Sequence, residues 1–141
     1  MGPDIAVGGR AALPLAVVRR AVRAAAAAER PRPRLAQVSV TFLGPGRMRA
    51  LNRRHLRHDR PTDVIAFALH TPDGALVGDV YVCRAVAARQ ARDAGCSLRE
   101  ELIRLVIHGT LHVLGHDHPA GEARLRSPMW RRQERLVGRL G

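Results

Sequence analysis

Apolar and polar residues alternate with a period of two in several short segments, which predicts β-strands. The segment 38–42, Val-Ser-Val-Thr-Phe, alternates strictly and is rich in β-branched residues. The nearly continuous apolar run 64–69 predicts a second strand that is buried on both faces, and 80–83 predicts a third. A short edge strand is expected at 4–7. The Arg- and His-rich segment 52–62 predicts an exposed loop.

Other segments have helical periodicity. The first predicted helix runs from Pro14, at its first position, to about Glu29. A short helix is expected over 47–54, after a break at Gly-Pro-Gly, and another over 84–94. Ser127 and Pro128 predict the start of a last helix that continues to about 137.

The most apolar helix is expected in the second half of the chain. Ser97 and Glu100 have the spacing of a capping box and predict its first turn. From Leu102 to Leu114 the helix is apolar on most sides, which indicates a central, buried position. We therefore predict an α+β fold in which residues 1–141 form a single domain, with a small mixed β-sheet packed around this helix.

Four of the seven histidines lie in one segment of this region, His-Gly-Thr-Leu-His-Val-Leu-Gly-His-Asp-His. His108 and His112 are four residues apart, so on a helix they lie on one face. Gly115 permits the left-handed turn that ends a helix and lets His118 approach the first two. The spacing predicts a three-histidine metal site with an open fourth position, as in catalytic zinc sites.

Two alternatives to this ligand set remain open. The histidines could be packed core residues without a metal, and His116 could replace His118 as the third ligand. The zinc-protease version of the motif has a Glu general base directly after the first histidine, where this chain has Gly109. The metal geometry is therefore favoured over peptidase chemistry.

The charge indicates a polyanionic partner. All 24 basic residues are Arg, only 12 residues are acidic, and the net charge is +12. Such an excess favours nucleic acid. Aromatic residues make up 3% of the chain, so contacts to phosphate and to shape are expected rather than base stacking.

Composition also bears on location. No apolar run reaches the length of a membrane span, and the N-terminus lacks the pattern of a secretory signal. The two cysteines form no ligand pair and are expected as free thiols. We expect a cytoplasmic protein that has no membrane partner.

Upstream segments and the histidine motif together resemble the YbeY endoribonucleases, bacterial rRNA maturation factors. Besides the histidine segment, the resemblance rests on Leu51-Asn52, on Arg-Pro-Thr-Asp-Val-Ile-Ala-Phe at 60–67 and on Gly-Asp-Val at 78–80. It extends from about Val38 to the C-terminus. It implies a zinc-dependent, single-strand-type endoribonuclease that acts on rRNA and the small ribosomal subunit in maturation and quality control. It further implies one Zn²⁺ per chain.

The family ligands fall on His108, His112 and His118 of this chain. The chain departs from the family pattern at two positions. His116 stands where the family usually has an aromatic residue, and Leu56 stands where it often has a functional Arg, with Arg57 next to it. Either Arg57 substitutes for that Arg, or the contact that the family Arg makes is absent from this chain.

Three residues are predicted catalytic candidates beside the metal: Asp63, Asp117 and Arg57. Asp63 serves equally well as a turn cap, and Asp117 could instead orient a metal ligand. Asp79, at the start of a strand, is a weaker candidate. Arg57 belongs to a set expected to contact backbone phosphate, which comprises Arg53, Arg54, Arg57 and Arg60.

The metal would either activate a water molecule or polarise a phosphodiester oxygen, and the sequence does not choose between them. The competing hypothesis is a non-catalytic ribosome-binding assembly factor whose metal is structural. The oligomeric state is not predicted.

Overall fold

A computed structural model of the chain describes residues 2–10, 12–28, 34–56, 61–115, 125 and 127–140. Within these ranges the chain forms four strands, β1 (Asp4–Gly9), β2 (Leu35–Leu43), β3 (Val64–His70) and β4 (Leu76–Cys83). It also forms five helices, α1 (Leu15–Ala28), α2 (Pro45–Leu56), α3 (Arg84–Ala94), α4 (Leu98–Val113) and α5 (Pro128–Leu140).

The four strands form one mixed sheet in the order β1-β2-β4-β3. β1 and β4 are both parallel to β2, and β3 is antiparallel to β4. The turn between β3 and β4 is closed by a 2.8 Å hydrogen bond from Thr71 N to Ala75 O and contains Gly74 at a φ of 86°. The predicted α+β single-domain fold with a small mixed sheet is confirmed.

The prediction that β3 is buried on both faces was wrong. β3 lies at the edge of the sheet, and its last three residues are exposed, with Leu69 at 71%. Ile65 is buried at 4%, beside Met48 of α2. An apolar run shows the composition of a strand but does not show whether the strand is central or at an edge. That position depends on pairing between distant segments.

The boundaries of α1 and α2 also differ from expectation. α2 begins at Pro45 because proline fits the first turn of a helix, and Met48 N donates to Gly44 O at 3.0 Å. It continues to Leu56, so the first part of the predicted loop 52–62 is helical and Asn52 is 3% exposed. Pro14 precedes α1 rather than occupying its first position, and its carbonyl accepts from Val17 N at 3.0 Å.

α4 occupies the centre, between the sheet and the other helices, as the sequence predicts. It packs against α1, α3 and α5 on one side and against β3 and β4 on the other. Ser97 Oγ accepts from Glu100 N at 3.0 Å and caps its N-terminus. Gly115 has a φ of 97° just after its C-terminus, which confirms the predicted left-handed exit.

In the described part of the chain, no helix combines the length and the apolar character needed to cross a membrane.

Candidate active site

A cavity of about 800 Å³ lies beside α4 and is bordered by α3, α5 and the N-terminal half of β3. One part of its wall is apolar and includes Leu105 and Met129. His108 and His112 line it from α4, and Asp63 lines it from the start of β3. Three of the predicted site residues, His108, His112 and Asp63, therefore line one cavity.

His108 and His112 lie on one face of α4, as their spacing predicts. Their Nε2 atoms are 3.1 Å apart, and the two ring centroids are 4.7 Å apart at an interplanar angle of 71°. Both residues are half-buried. The two Nε2 atoms thus face a common point at the cavity wall.

The other ring nitrogen of His108 is held from α5. His108 Nδ1 lies 2.5 Å from Gln133 Oε1, and Gln133 is 1% exposed. Gln133 Nε2 donates to Glu134 Oε2 at 3.0 Å. Gln133 and Glu134 were missed in the sequence analysis. The available signal was a polar residue at the i+4 position from Met129 on the buried face of the last helix.

Arg104 donates hydrogen bonds to three carboxylates along the cavity wall. Its Nε and Nη2 donate to the two carboxylate oxygens of Glu134 at 2.8 and 2.9 Å. Its Nη1 donates to Glu101 at 2.9 Å and its Nη2 to Glu100 at 3.1 Å. This bidentate pair links α4 to α5 and keeps Glu134 in place beside Gln133.

The pKa values in this cluster move in different directions. Burial raises the pKa of Glu101, and the hydrogen bond from Arg104 opposes that shift only in part. Burial also acts to raise the pKa of Glu134, but hydrogen bonds from Arg104 and Gln133 outweigh it and leave the pKa lowered. The hydrogen bond to Glu134 is the main cause that raises the pKa of Arg104.

Asp63 and Asp79 have different surroundings. Asp63 Oδ1 accepts from Val64 N at 2.7 Å, and its Oδ2 accepts from Gln90 Nε2 at 3.3 Å. Asp63 therefore caps the start of β3 and also lines the cavity. Asp79 accepts from Ser39 Oγ at 2.6 Å and does not line this cavity.

Gly109 lies where α4 contacts the sheet. A Cβ at this position would be 2.5 Å from Val80 Cγ1 and 3.2 Å from Val64 Cγ2. The position that holds Glu in zinc proteases therefore has no room for a side chain here. This observation extends the sequence argument against peptidase chemistry.

The chain is similar to known proteins in sequence and in fold. The family model described as Endoribonuclease YbeY matches residues 13–141. The chain belongs to the YbeY endoribonuclease family. It is 38% identical over 128 residues to an Endoribonuclease YbeY of Acidothermus cellulolyticus, covering 76% of this chain and 78% of that protein.

Two further proteins extend the likeness. An Endoribonuclease YbeY of Moorella thermoacetica is 38% identical over 140 residues, which covers 90% of this chain and 86% of the relative. The solution structure of a Thermotoga maritima protein has a TM-score of 0.66 and 27% identity, over 96% of this chain and 88% of that one. The YbeY resemblance stated from the sequence is confirmed.

Several residues of the predicted site lie outside the described residues. These are Arg57, Arg60, His116, Asp117 and His118. Within the ranges that the structure describes, no three His, Cys, Asp or Glu side chains are grouped so as to hold a metal ion. The third ligand, either His118 or His116, stays a prediction, and so do the roles of Asp117 and Arg57.

Proposed function

We propose that this member of the YbeY family is a zinc-dependent endoribonuclease that cleaves single-stranded rRNA during maturation of the small ribosomal subunit. The observation that carries the proposal is the pair of histidine Nε2 atoms, 3.1 Å apart, at the wall of a cavity. The net charge of +12 supports an RNA substrate.

The donor set fits zinc. Two nitrogen ligands, each ~2.0–2.1 Å from one tetrahedral zinc, lie about 3.3 Å apart. The 3.1 Å between the Nε2 atoms of His108 and His112 is close to this value. We propose that His118 completes a set of three neutral ligands and leaves one position open, which would bind one Zn²⁺ per chain.

A zinc ion bound there supplies positive charge that acidifies water or polarises a phosphodiester oxygen. The chain itself contributes orientation around that charge. Gln133 holds His108 by Nδ1, and Arg104 fixes Glu134 against Gln133. Asp63 lines the same cavity, with its two oxygens accepting from Val64 N and from Gln90 Nε2.

Basic residues close to the cavity support a path for the RNA backbone. Arg53 and Arg54 are exposed in the last turn of α2, two or three residues before Leu56, which lines the cavity. The cavity itself has acidic residues along its wall, including Glu100, Glu101 and Glu134. Phosphates are therefore attracted to the α2 side and repelled from the Glu-lined wall.

The test compares His112→Ala with a matched histidine variant, His70→Ala. His70 is exposed at the end of β3 and does not line the cavity. We expect about one zinc per chain in the wild type and in His70→Ala, and loss of both zinc and RNA cleavage in His112→Ala. Metal content is measured by mass spectrometry, and cleavage is measured on labelled single-stranded rRNA fragments.

Unchanged cleavage by His112→Ala, in a preparation shown to be free of other nucleases, would contradict the proposal. A different result supports the assembly-factor alternative. In that case the wild type binds zinc and rRNA but does not cut, and His112→Ala mainly lowers the free energy of unfolding.

A further inference from the structure

Gln133 is a buried polar residue on an apolar helix face. It is 1% exposed, and its neighbours on the buried face of α5 are Met129, Leu136 and Val137. A buried amide is costly unless both of its ends are hydrogen-bonded. Both ends are bonded here, one to His108 and the other to Glu134. Gln133 therefore connects the histidine to a carboxylate through the interior.

The partner on one side determines how the Gln133 amide is oriented. An ionised carboxylate only accepts hydrogen bonds. The two oxygens of Glu134 accept from Nε and Nη2 of Arg104, a cation that only donates. Gln133 must therefore present its NH₂ group to Glu134, and this orientation directs its Oε1 towards His108.

The orientation of the amide in turn determines where the His108 proton lies. Gln133 Oε1 only accepts, so the nitrogen 2.5 Å away, His108 Nδ1, must carry the hydrogen. In a neutral ring the other nitrogen then has a lone pair. That nitrogen is His108 Nε2, which faces His112 Nε2.

We propose that Gln133 is a positioning residue: the chain Arg104–Glu134–Gln133 holds His108 as the Nδ1–H tautomer and so keeps its Nε2 lone pair available to a metal. The tautomer follows from hydrogen-bond directions alone. Its consequence for metal affinity rests on the proposed function.

The first test is NMR of metal-free protein at ~pH 8, above the ordinary His pKa of about 6.5. Two-bond nitrogen–proton correlations distinguish the two tautomers of the assigned His108 ring. We expect Nδ1–H in the wild type and in Gln133→Glu, which keeps an acceptor oxygen for Nδ1. Gln133→Met has a similar volume but no acceptor, and it should shift His108 towards Nε2–H.

A second variant tests the polarity of the chain without touching Gln133. In Glu134→Gln the side chain next to Gln133 also has a donor, so the Gln133 amide is free to rotate and present NH₂ to His108. We expect a mixture of His108 tautomers. Gln90→Met is the matched control because Gln90 lines the same cavity but bonds Asp63 rather than a histidine.

Zinc affinity, measured by competition with a chelating dye, is the second readout. We expect Gln133→Met to bind zinc roughly 10- to 100-fold more weakly than the wild type. Gln90→Met should keep a zinc affinity close to that of the wild type. Circular dichroism verifies that each variant is folded.

The inference is overturned if wild-type His108 is the Nε2–H tautomer, or if Gln133→Met changes neither the tautomer nor the affinity. Failure of the proposed function looks different. The wild type would then bind no zinc even though His108 carries its hydrogen on Nδ1.

Discussion

Gly109 sets how closely α4 approaches the sheet, directly beside the first histidine. A Cβ there would lie 2.5 Å from Cγ1 of Val80, a residue with 0% exposure that has no space to move. Gly78 makes the reciprocal contact, since its Cβ would lie 2.5 Å from Cγ1 of Val113. Two glycines thus hold the histidine helix against β4, and the position of His108 depends on this contact.

Gly109→Ala should lower the free energy of unfolding by about 2 kcal/mol, because overpacking outweighs the gain in helix propensity. Gly138→Ala is the control, since it lies in α5 with nothing within 4 Å of an added Cβ. It should raise the free energy of unfolding by about 0.5 kcal/mol. Urea denaturation measures both, and equal effects would contradict the packing argument.

At the scale of elements, Arg104 connects α4 to α5 and thereby connects His108 to its support. Its side chain is 17% exposed and contacts three carboxylates. Removing the cation leaves those carboxylates close together without a counter-charge. The ion cluster therefore links α4 to α5 and is more than a set of ion pairs at the protein surface.

Arg104→Met should lower the free energy of unfolding by about 3 kcal/mol, the low end for a buried pair because Glu134 is 32% exposed. The comparison is Arg99→Met, an exposed residue in the same helix, which should change it by less than about 0.5 kcal/mol. Thermal and urea unfolding give the difference. Similar losses in the two variants would show that the cluster contributes little.

The same cluster predicts a pH dependence. Because the pKa of Glu134 is lowered in the folded protein, its contribution is present above the ordinary Glu pKa of about 4.3 and is lost as the pH falls through the lowered value. The raised pKa of Glu101 changes stability with pH in the opposite direction. Glu101 is present both in the wild type and in the Glu134→Gln variant that tests this prediction.

Glu134→Gln should therefore lose stability less steeply than the wild type between about pH 5 and pH 3. Urea unfolding across this range measures the two slopes. Parallel pH profiles would show that Glu134 does not titrate differently in the folded and unfolded states.

At the scale of the molecule, charge is distributed unevenly. The chain has a net charge of +12, yet the cavity wall carries several of its 12 acidic residues, including Asp63, Asp93, Glu100, Glu101 and Glu134. Arg53 and Arg54 are exposed in the last turn of α2, next to Leu56, which lines this cavity. RNA binding through them should depend on salt, because each neutralised phosphate releases a counterion.

Replacing Arg53 and Arg54 by Ala should weaken binding of single-stranded RNA and reduce the slope of log affinity against log salt by up to about 1.4. Arg19→Ala with Arg20→Ala removes the same charge from an exposed part of α1 and is the control. Fluorescence anisotropy at several salt concentrations measures both, with His112→Ala included to prevent cleavage. Equal slopes in the two double variants would indicate that the RNA binds away from Arg53 and Arg54.

The ribosomal partner and the cytoplasmic location stay predictions.

The sequence by itself determined whatever depends on local spacing. The i, i+4 separation placed His108 and His112 on one face, Ser97 began α4 and Gly115 ended it. The apolar character of α4 predicted its central position, and the alternating segments predicted the sheet. These features follow from helix and strand periods and from caps, which act within a few residues.

Only the tertiary structure decided what depends on contacts between distant segments. It placed β3 at the edge of the sheet, although its apolar run had predicted burial on both faces. It brought Gln133 of α5 to His108, 25 positions earlier in the chain, and Arg104 to Glu134. Such contacts depend on how helices and strands pack. The pattern within one segment does not show which distant residue will form hydrogen bonds with the side chains of that segment.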